Sequence, residues 1–316
     1  MGRGSGFGKV ILFNEHFVVH GVPGIASAID LATDAEVKKF SGEGIRIIDE
    51  RKGTEGYSEN KKTQQIESIE RMLKMMGLNS EKNPMEIWLS GQLPTFSGIG
   101  ASAASSVAIA RAISNEFKMN LSDDRINEIA YEAEKAYAGN PSGIDNTAAT
   151  YGGLIWFRKN LTGGSNKIER IKIEKPVEIV MGNSGIVADT KAMVDGVAER
   201  KKKYPEKYKK IFNRAEELAF EARKFLEDFD LKKVGELMNE NHSLLQQIEV
   251  SCKELDYLVN LALERGAYGA KMTGGGGGGC MVALTPVKKL QEKVALSMEK
   301  EGFKVLRTKI GVLKYT

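Results

Sequence analysis

The chain has 316 residues, of which 41% are hydrophobic and 28% are charged, and its formal net charge is +4. This length and composition exclude a disordered chain and allow a core for about two domains. The weak positive charge and the aromatic content of 7% argue against a nucleic-acid surface and suit anionic small molecules.

The two cysteines, Cys252 and Cys280, lie far apart without metal-site spacing, which is typical of a reducing compartment. No apolar run reaches the roughly 18 residues of a membrane span, and the first residues lack a signal-peptide core. We therefore expect a cytoplasmic protein with neither a membrane nor a nucleic acid as partner.

The first half of the chain mixes strands and helices. Apolar runs predict strands at 9–13, 24–40 and 85–93, and a helical period predicts a helix at 61–76. Small residues dominate a predicted helix at 101–119, which suits close contact with a neighbouring backbone. Ser122 is expected to cap the next helix, which ends near Gly139.

The second half becomes mostly helical. Strands are predicted at 153–157, 168–173 and 177–181, followed by helices at 193–229 and 256–264. The change in composition near residue 175 predicts two domains, 1–175 and 176–316. We interpret the alternating glycines of residues 2–8 as a loose leader, and the lysine-rich stretch 201–210 as a solvated helix face rather than a docking patch.

A glycine loop that opens into a helix is the strongest signal for chemistry. It reads PTFSGIGASAAS and spans residues 94–105. A helix N-terminus offers unpaired N–H groups, and glycines let a phosphate approach them. A dinucleotide site is disfavoured because a second helix follows where that fold needs a strand. A turn that merely packs a helix on a strand remains an alternative.

Two further segments present charged groups. In KVILFNEHFVVHG, residues 9–21, Glu15 and His16 follow an apolar strand, where they either bind a polar substrate or form a surface turn. Beyond a predicted helix, Asp145 follows a Gly/Asn/Pro/Ser turn, and Glu134 lies beside that helix's apolar stripe. Glu134 together with the Ser102 hydroxyl suits Mg²⁺, and Asp145 would then be free to accept a hydroxyl proton. A solvated glutamate and a turn-capping aspartate are the alternatives.

Six consecutive glycines form the third signal, KMTGGGGGGC at residues 271–280. A flexible linker normally has polar flanks, whereas β-prone apolar runs flank this segment on both sides. Ordering six glycines costs several kcal/mol, at about 0.5–1 kcal/mol each relative to alanine. We therefore predict an ordered strand-loop-strand turn whose backbone approaches a substrate.

These motifs resemble those of the GHMP kinases, and most closely those of mevalonate kinases. The resemblance covers nearly the whole chain through residues 9–21, 94–104 and 271–280, with NPSGIDN at 140–146 between the last two. The order Glu15-His16-x-Val-Val-x-Gly21 looks like the mevalonate kinase form rather than the galactokinase form. Together the motifs are highly specific, whereas any one of them alone is not.

The resemblance implies an α+β fold of two domains, with a ribosomal-protein-S5-like N-terminal domain, a C-terminal α/β-sandwich domain and the active site between them. It implies transfer of the γ-phosphoryl group of ATP, with Mg²⁺, to the 5-hydroxyl of mevalonate in isoprenoid biosynthesis. A homodimer is expected. Another GHMP kinase, such as phosphomevalonate kinase, is the alternative within the family, and an RNA-binding protein is the alternative outside it.

The resemblance also implies roles for individual residues. Asp145 matches the catalytic base, with Lys9 beside it, and Ser102 and Glu134 match the magnesium ligands. Substrate contacts fall on Glu15, His16, Thr190 and Gly274. The nucleotide-binding loop comprises Pro94, Ser97, Gly98, Ile99, Gly100, Ala101, Ser102, Ala103 and Ala104.

Three positions depart from the family pattern. Asn14 stands where glycine is usual before Glu-His, Ala101 replaces the first of two loop serines, and Gly275 replaces a common alanine. The change at residue 101 removes one hydroxyl, so the expected metal contact from the loop depends on Ser102. The change at Asn14 bears on the substrate pair that follows it.

Overall fold

The computed structural model describes residues 1–52, 62–94, 98–138, 141–187 and 189–313. The chain divides into two compact units. The first consists of Met1–Lys9 with Asp30–Gly152, and the second of Val10–Ile29 with the chain from Gly153 onward. The domain division near residue 175 stays a prediction.

The described residues form ten strands and nine α-helices. The strands are β1 (Gly2–Phe13), β2 (Gly24–Lys39), β3 (Ile45–Asp49), β4 (Met85–Gly91), β5 (Leu154–Arg158), β6 (Lys167–Ile171), β7 (Val177–Asn183), β8 (Gly269–Thr273), β9 (Cys280–Leu284) and β10 (Lys304–Ile310). The helices are α1 (Lys62–Met75), α2 (Ala101–Glu116), α3 (Asp123–Ala138), α4 (Ile144–Tyr151), α5 (Thr190–Lys203), α6 (Pro205–Glu227), α7 (Leu231–Gln247), α8 (Lys253–Glu264) and α9 (Lys288–Lys300). No helix in these ranges is long and apolar enough to cross a bilayer.

The predicted helix at 193–229 is in fact two helices. α5 ends at Lys203 and α6 begins at Pro205, and Tyr204 between them has φ −129° and ψ 61°, outside the helical region. Proline disfavours a helical conformation in the residue before it and has no N–H to continue the ladder, whereas it suits the first position of a helix. Pro205 therefore ends one helix and begins the next.

In the first unit, three helices and a sheet share one hydrophobic core. β4 pairs parallel with β3 and antiparallel with residues 33–39 of β2. The core contains residues of strands β2 and β4 and of helices α1, α2 and α3, including Val37, Leu73, Ile87, Val107 and Ile129. As predicted, Ser122 caps α3, since its hydroxyl accepts the Arg125 N–H at 3.3 Å.

The prediction of a loose N-terminal leader was wrong, because the glycines belong to strand β1. An added Cβ would lie 2.1 Å from the Ala112 carbonyl oxygen at Gly2, 2.4 Å from that of Ala108 at Gly4 and 2.2 Å from that of Ala104 at Gly6. Every second residue of β1 thus meets every fourth residue of α2, because two strand residues and four helix residues both advance by about 6 Å. The predicted close contact between α2 and a neighbouring backbone is thus confirmed, and that backbone is strand β1.

The second unit contains an antiparallel sheet in the order β10-β7-β9-β8. β10 also pairs with β2 at Ile310 and Ile29, and β5 pairs with residues 24–27 of β2 and with β6. The six glycines connect β8 to β9, so the predicted strand-loop-strand turn is confirmed. α7 packs along β8, the last strand of the order.

Candidate active site

The glycine loop of the first unit leads into α2 and bends at two glycines. Gly98 and Gly100 have φ of +95° and +70°, in the left-handed region that favours glycine. A Cβ at Gly100 would lie 2.7 Å from Lys9 Cγ, because the lysine stem passes over this position. The Lys9 N–H donates to the Ile99 carbonyl at 2.9 Å. Strand β1 and the loop therefore meet at Lys9.

The other expected loop residues are half-buried Pro94, buried Ala101, Ala103 and Ala104, and Ser97, which lies outside the described residues. The Ala104 N–H donates to the Gly100 carbonyl at 2.9 Å, so it is used within the helix. A helix offers no carbonyl to its first N–H groups, here those of residues 101–103, so these are the donors that suit a phosphate.

Lys9 and Asp145 form an ion pair at the start of α4. Lys9 Nζ lies 3.1 Å from Asp145 Oδ1, and the lysine side chain is 3% exposed whereas the aspartate side chain is 35% exposed. Gly143, at φ +93°, precedes the helix and places Asp145 in its first turn, where the helix dipole favours a carboxylate. The cation is thus held in the interior while the carboxylate remains reachable.

Glu134 of α3 is buried against two serines of α2. Ser102 Oγ donates to Glu134 Oε2 at 3.0 Å, and Ser106 Oγ donates to Oε1 at 3.3 Å. Burial, and secondly the charge of Asp145, raises the pKa of Glu134 to about 8. Sequence reasoning missed Ser106, although it lies one helical turn after Ser102 and so on the same face.

In the second unit, Glu15 forms a buried ion pair with Lys271. The lysine side chain is 0% exposed and that of the glutamate is 1% exposed. Lys271 Nζ also donates to the Met272 carbonyl at 2.7 Å. Sequence reasoning gave Lys271 no role, because its partner is 256 positions away in the chain; its place directly before the glycine motif was the available signal.

His16 lies against the glycine run through one ring nitrogen. Its Nε2 lies 3.0 Å from the Gly275 carbonyl oxygen, an acceptor, so Nε2 carries the proton. Burial lowers the pKa of His16 to about 4, and the hydrogen bond to Gly275 opposes this only partly. A neutral imidazole with Nδ1 as an acceptor is therefore the state at neutral pH.

The glycine run is held by backbone hydrogen bonds on both sides. The Gly277 N–H donates to the Val250 carbonyl and the Gly279 N–H to the Ile186 carbonyl, both at 2.8 Å. Gly276, at φ +72°, has no room for a side chain, since a Cβ would lie 2.3 Å from the Val250 oxygen. Gly274, the expected substrate contact, is half-buried at the start of the run, with φ +89°.

Thr190 contacts the glycine run at the residue that departs from the family pattern. A Cβ at Gly275 would lie 2.2 Å from Thr190 Oγ1 and 3.0 Å from Thr190 Cβ. Asp189 caps helix α5 by accepting the Lys191 N–H at 2.8 Å, which fixes Thr190 at the first helical position. In this chain the glycine at 275 thus leaves room for the Thr190 side chain.

Asn14 also departs from the family pattern, and its surroundings explain the change. Its φ is +72°, a left-handed conformation in which asparagine is the best tolerated residue after glycine. The buried side chain donates from Nδ2 to the Pro23 carbonyl at 2.7 Å and to the Ala215 carbonyl at 2.8 Å. Asn14 therefore fills an interior polar site while it keeps the turn before Glu15.

Comparison with known proteins identifies the family. The family model of the GHMP kinase N-terminal domain matches residues 65–153, and the family model of the GHMP kinase C-terminal part matches residues 222–304. The mevalonate kinase of Thermococcus sibiricus is 34% identical over 96% of this chain and 94% of its own length. The mevalonate kinase of Pyrococcus horikoshii is also 34% identical, over 93% of this chain and 91% of its own.

Among solved structures, L. major mevalonate kinase in complex with R-mevalonate matches with a TM-score of 0.91 at 35% identity. The match covers 98% of this chain and 96% of that one. The two-domain GHMP kinase fold expected from the motifs is thereby confirmed. The chain belongs to the GHMP kinase family, in its mevalonate kinase branch.

Proposed function

We propose that this chain transfers the γ-phosphoryl group of ATP to the 5-hydroxyl of mevalonate. The ion pair of Lys9 with Asp145 carries the proposal, because Lys9 is bonded through its backbone to the glycine loop at Ile99 and through its ammonium to Asp145. One residue thereby joins a phosphate-binding loop to a reachable carboxylate. The relatives named above are mevalonate kinases, which supports mevalonate as the acceptor.

The reaction needs a base, a phosphate cradle and neutralised charge. Asp145 accepts the hydroxyl proton while the oxygen forms a bond to the γ-phosphorus and the bond from that phosphorus to the β–γ bridging oxygen breaks, which releases ADP. Lys9 stabilises the negative charge that moves between these oxygens, and the N–H groups at the start of α2 hold the phosphates. Positioning and electrostatics supply most of such catalysis.

Ser102 and Glu134 fit a magnesium ion by the chemistry of their donors. Mg²⁺ prefers hard oxygen ligands and takes few from the protein when it also binds phosphates. Without a cation the buried Glu134 has a pKa of about 8, and a divalent cation beside it would favour the ionised carboxylate. When bound, the ion would neutralise phosphate charge, and Ser102 and Glu134 would hold it.

In the second unit, the substrate contacts that we propose are Glu15, His16, Thr190 and Gly274. The hydrogen bonds and buried ion pair around Glu15 and His16 give them fixed orientations, which suits recognition of a small polar acceptor. Lys9 and Lys271 are each paired with a carboxylate. That pairing favours an acceptor without a phosphate of its own, and so argues against phosphomevalonate.

A coupled assay of ADP release tests the proposal. The acceptors are mevalonate, phosphomevalonate, homoserine and galactose, each with ATP and Mg²⁺. We expect turnover with mevalonate alone. Turnover with one of the other three and none with mevalonate would overturn the proposed acceptor, and loss of turnover when ATP is replaced by other nucleotides would define the donor.

We further propose a cytoplasmic homodimer that binds neither RNA nor membranes. The cysteine usage supports the compartment, and the weak net charge argues against RNA as a partner. Light scattering on the purified protein measures the oligomeric state. Filter binding with RNA over a range of salt concentrations tests the RNA-binding alternative, for which steeply salt-dependent binding is the expected sign.

A further inference from the structure

Helix α7 takes the place of a neighbouring strand along β8. β8 is the last strand in the order β10-β7-β9-β8, so alternate N–H groups point away from the sheet. The Ala270 N–H donates to Asn239 Oδ1 at 2.9 Å, and the Met272 N–H donates to His242 Nδ1 at 3.3 Å. These two acceptors are three residues apart on one helix face and two residues apart along the strand they serve.

The helix comes close enough for this because two glycines meet. A Cβ at Gly235 would lie 2.2 Å from the Tyr268 carbonyl oxygen, and a Cβ at Gly269 would lie 2.2 Å from the Gly235 carbonyl oxygen. Gly235, Asn239 and His242 follow the spacing of one helix face. The contact is thus continuous from the start of β8 to Met272.

Asn241, directly before His242, forms hydrogen bonds with Asn14, which follows the end of strand β1 and precedes Glu15. Its Oδ1 accepts the Asn14 N–H at 3.1 Å, and its Nδ2 donates to Asn14 Oδ1 at 2.8 Å. Asn241 and Asn14 are both 0% exposed. A buried amide pair with two mutual hydrogen bonds fixes both backbone positions, because loss of either partner leaves buried polar groups without their bonds.

We propose that Asn241 and His242 are positioning residues that hold the Glu15–Lys271 ion pair in place for the substrate. Asn241 fixes Asn14, the chain neighbour of Glu15, and His242 fixes Met272, the chain neighbour of Lys271. Two consecutive residues of α7 therefore hold the chain neighbours of both partners, in addition to the bond between Thr273 and Ile11. The proposal rests on the proposed function only in taking Glu15 as a substrate contact.

The role of His242 requires one tautomer, which its other neighbours provide. Nδ1 accepts the Met272 N–H, so the proton is on Nε2, which lies 3.1 Å from Asp256 Oδ1. Ser251 Oγ donates to the same aspartate oxygen at 2.5 Å. The negative charge of Asp256, which lies beside Nε2, favours the tautomer that carries its proton on that nitrogen.

The kinetic test compares variants that keep or remove each acceptor. His242→Asn retains an acceptor in the position of Nδ1, whereas His242→Leu and Asn241→Leu remove the polar atoms. We expect the two leucine variants to raise KM for mevalonate by about tenfold or more, with KM for ATP unchanged and kcat reduced less than threefold. His242→Asn should stay within about threefold of the wild type in all three values.

A matched control separates positioning from loss of stability. Val234→Ala removes an apolar side chain that is 1% exposed and lies about two helical turns before Asn241 on the same helix. At equal losses of unfolding free energy, Val234→Ala should leave KM for mevalonate unchanged. An equal rise of KM in Val234→Ala and His242→Leu, or an unchanged KM in both leucine variants, would overturn the proposal.

A second measurement does not depend on the acceptor. Hydrogen exchange of the Met272 amide should accelerate by about tenfold or more in His242→Leu but not in His242→Asn. Unchanged exchange in His242→Leu overturns the proposal whichever substrate the enzyme uses. If mevalonate is not turned over but exchange behaves as expected, the proposed function fails alone, and the KM comparison is repeated with the acceptor that the assay identifies.

Discussion

Lys9 Nζ lies 3.1 Å from Asp145 Oδ1, while the same lysine donates its backbone N–H to the carbonyl of Ile99 in the glycine loop. A single residue of β1 therefore connects the loop to the carboxylate that we assign as base. The connection makes separate demands on the two side chains: the ammonium must be held still, and the carboxylate must be reachable. The different exposures of the two groups meet both demands.

The Asp145→Asn variant tests the assignment of the base. An amide cannot accept the hydroxyl proton, so kcat should fall by about 10²–10⁴-fold, the usual contribution of a general base. ATP affinity, measured by calorimetry, should stay near that of the wild type. Asp195→Asn is the control, since Asp195 is an exposed residue paired with Lys191. A near-normal kcat in Asp145→Asn would remove the assignment.

The raised pKa of Glu134 predicts a pH-dependent stability. Because its pKa is about 8 in the folded state and near 4.5 when unfolded, the folded state binds the extra proton between these values. The contribution of Glu134 to the free energy of unfolding should therefore fall as pH rises from about 4.5 to 8 and then level off, opposite in sign to that of His16, whose pKa is lowered to about 4. The full effect is on the order of several kcal/mol, at about 1.4 kcal/mol per pKa unit.

Urea unfolding at pH 6 and pH 9, without divalent cations, measures this effect. Glu134→Gln should remove the part of the difference between the two pH values that Glu134 causes, because the amide carries no charge at either pH. Glu128→Gln, an exposed position on the same helix, should keep the difference. A wild type whose Glu134-dependent stability rises with pH would contradict the burial argument.

The contact between Gly275 and Thr190 predicts a coupled pair of substitutions. Gly275→Ala places a methyl group 2.2 Å from Thr190 Oγ1, and we expect a loss of about 1–3 kcal/mol, as for other overpacked sites. Thr190→Ala removes that oxygen and should restore most of the loss in the double variant. Denaturant unfolding of the four proteins of the cycle measures the coupling. Additive losses would show that the two side chains do not compete for the same space.

The glycines of β1 predict that a substitution in this strand destabilises the fold only on the face that packs against α2. Gly4→Ala places a Cβ 2.4 Å from the Ala108 carbonyl oxygen, so the strand must move away from α2, at about 1–3 kcal/mol. Arg3→Ala changes the neighbouring, exposed side chain and should cost little. Thermal unfolding compares the two variants. Equal stabilities would mean that β1 does not pack on α2 at this distance.

Local sequence patterns predicted many of the secondary-structure features of this molecule. The small residues of α2, the serine cap of α3 and the flanks of the glycine run each predicted a feature that the structure has. Where prediction failed, the reason was usually a partner far away in the sequence. The glycines of residues 2–6 are needed because they pack against α2, about a hundred positions later in the chain. Lys271 has its role because it pairs with Glu15.

The departures from the family pattern follow the same rule. Asn14 and Gly275 each contact a residue far away in the sequence, Asn241 and Thr190 respectively. The break at Pro205 is different, because its signal is local: proline disfavours a helical conformation in the residue before it. Sequence patterns thus identified the elements and the motifs, and the family resemblance placed Lys9 beside Asp145, whereas the pairings of Lys271 and Asn14 emerged only from the structure.

The contact of α7 with β8 has a consequence for behaviour in a crowded solution. An exposed edge strand is a template on which another chain can add a strand, and this leads to aggregation. Asn239 and His242 occupy the outward N–H groups of Ala270 and Met272, so that template is closed in the native state. Replacing both side chains by leucine would leave these two N–H groups without acceptors, and association through β8 should then increase whenever α7 separates from the strand.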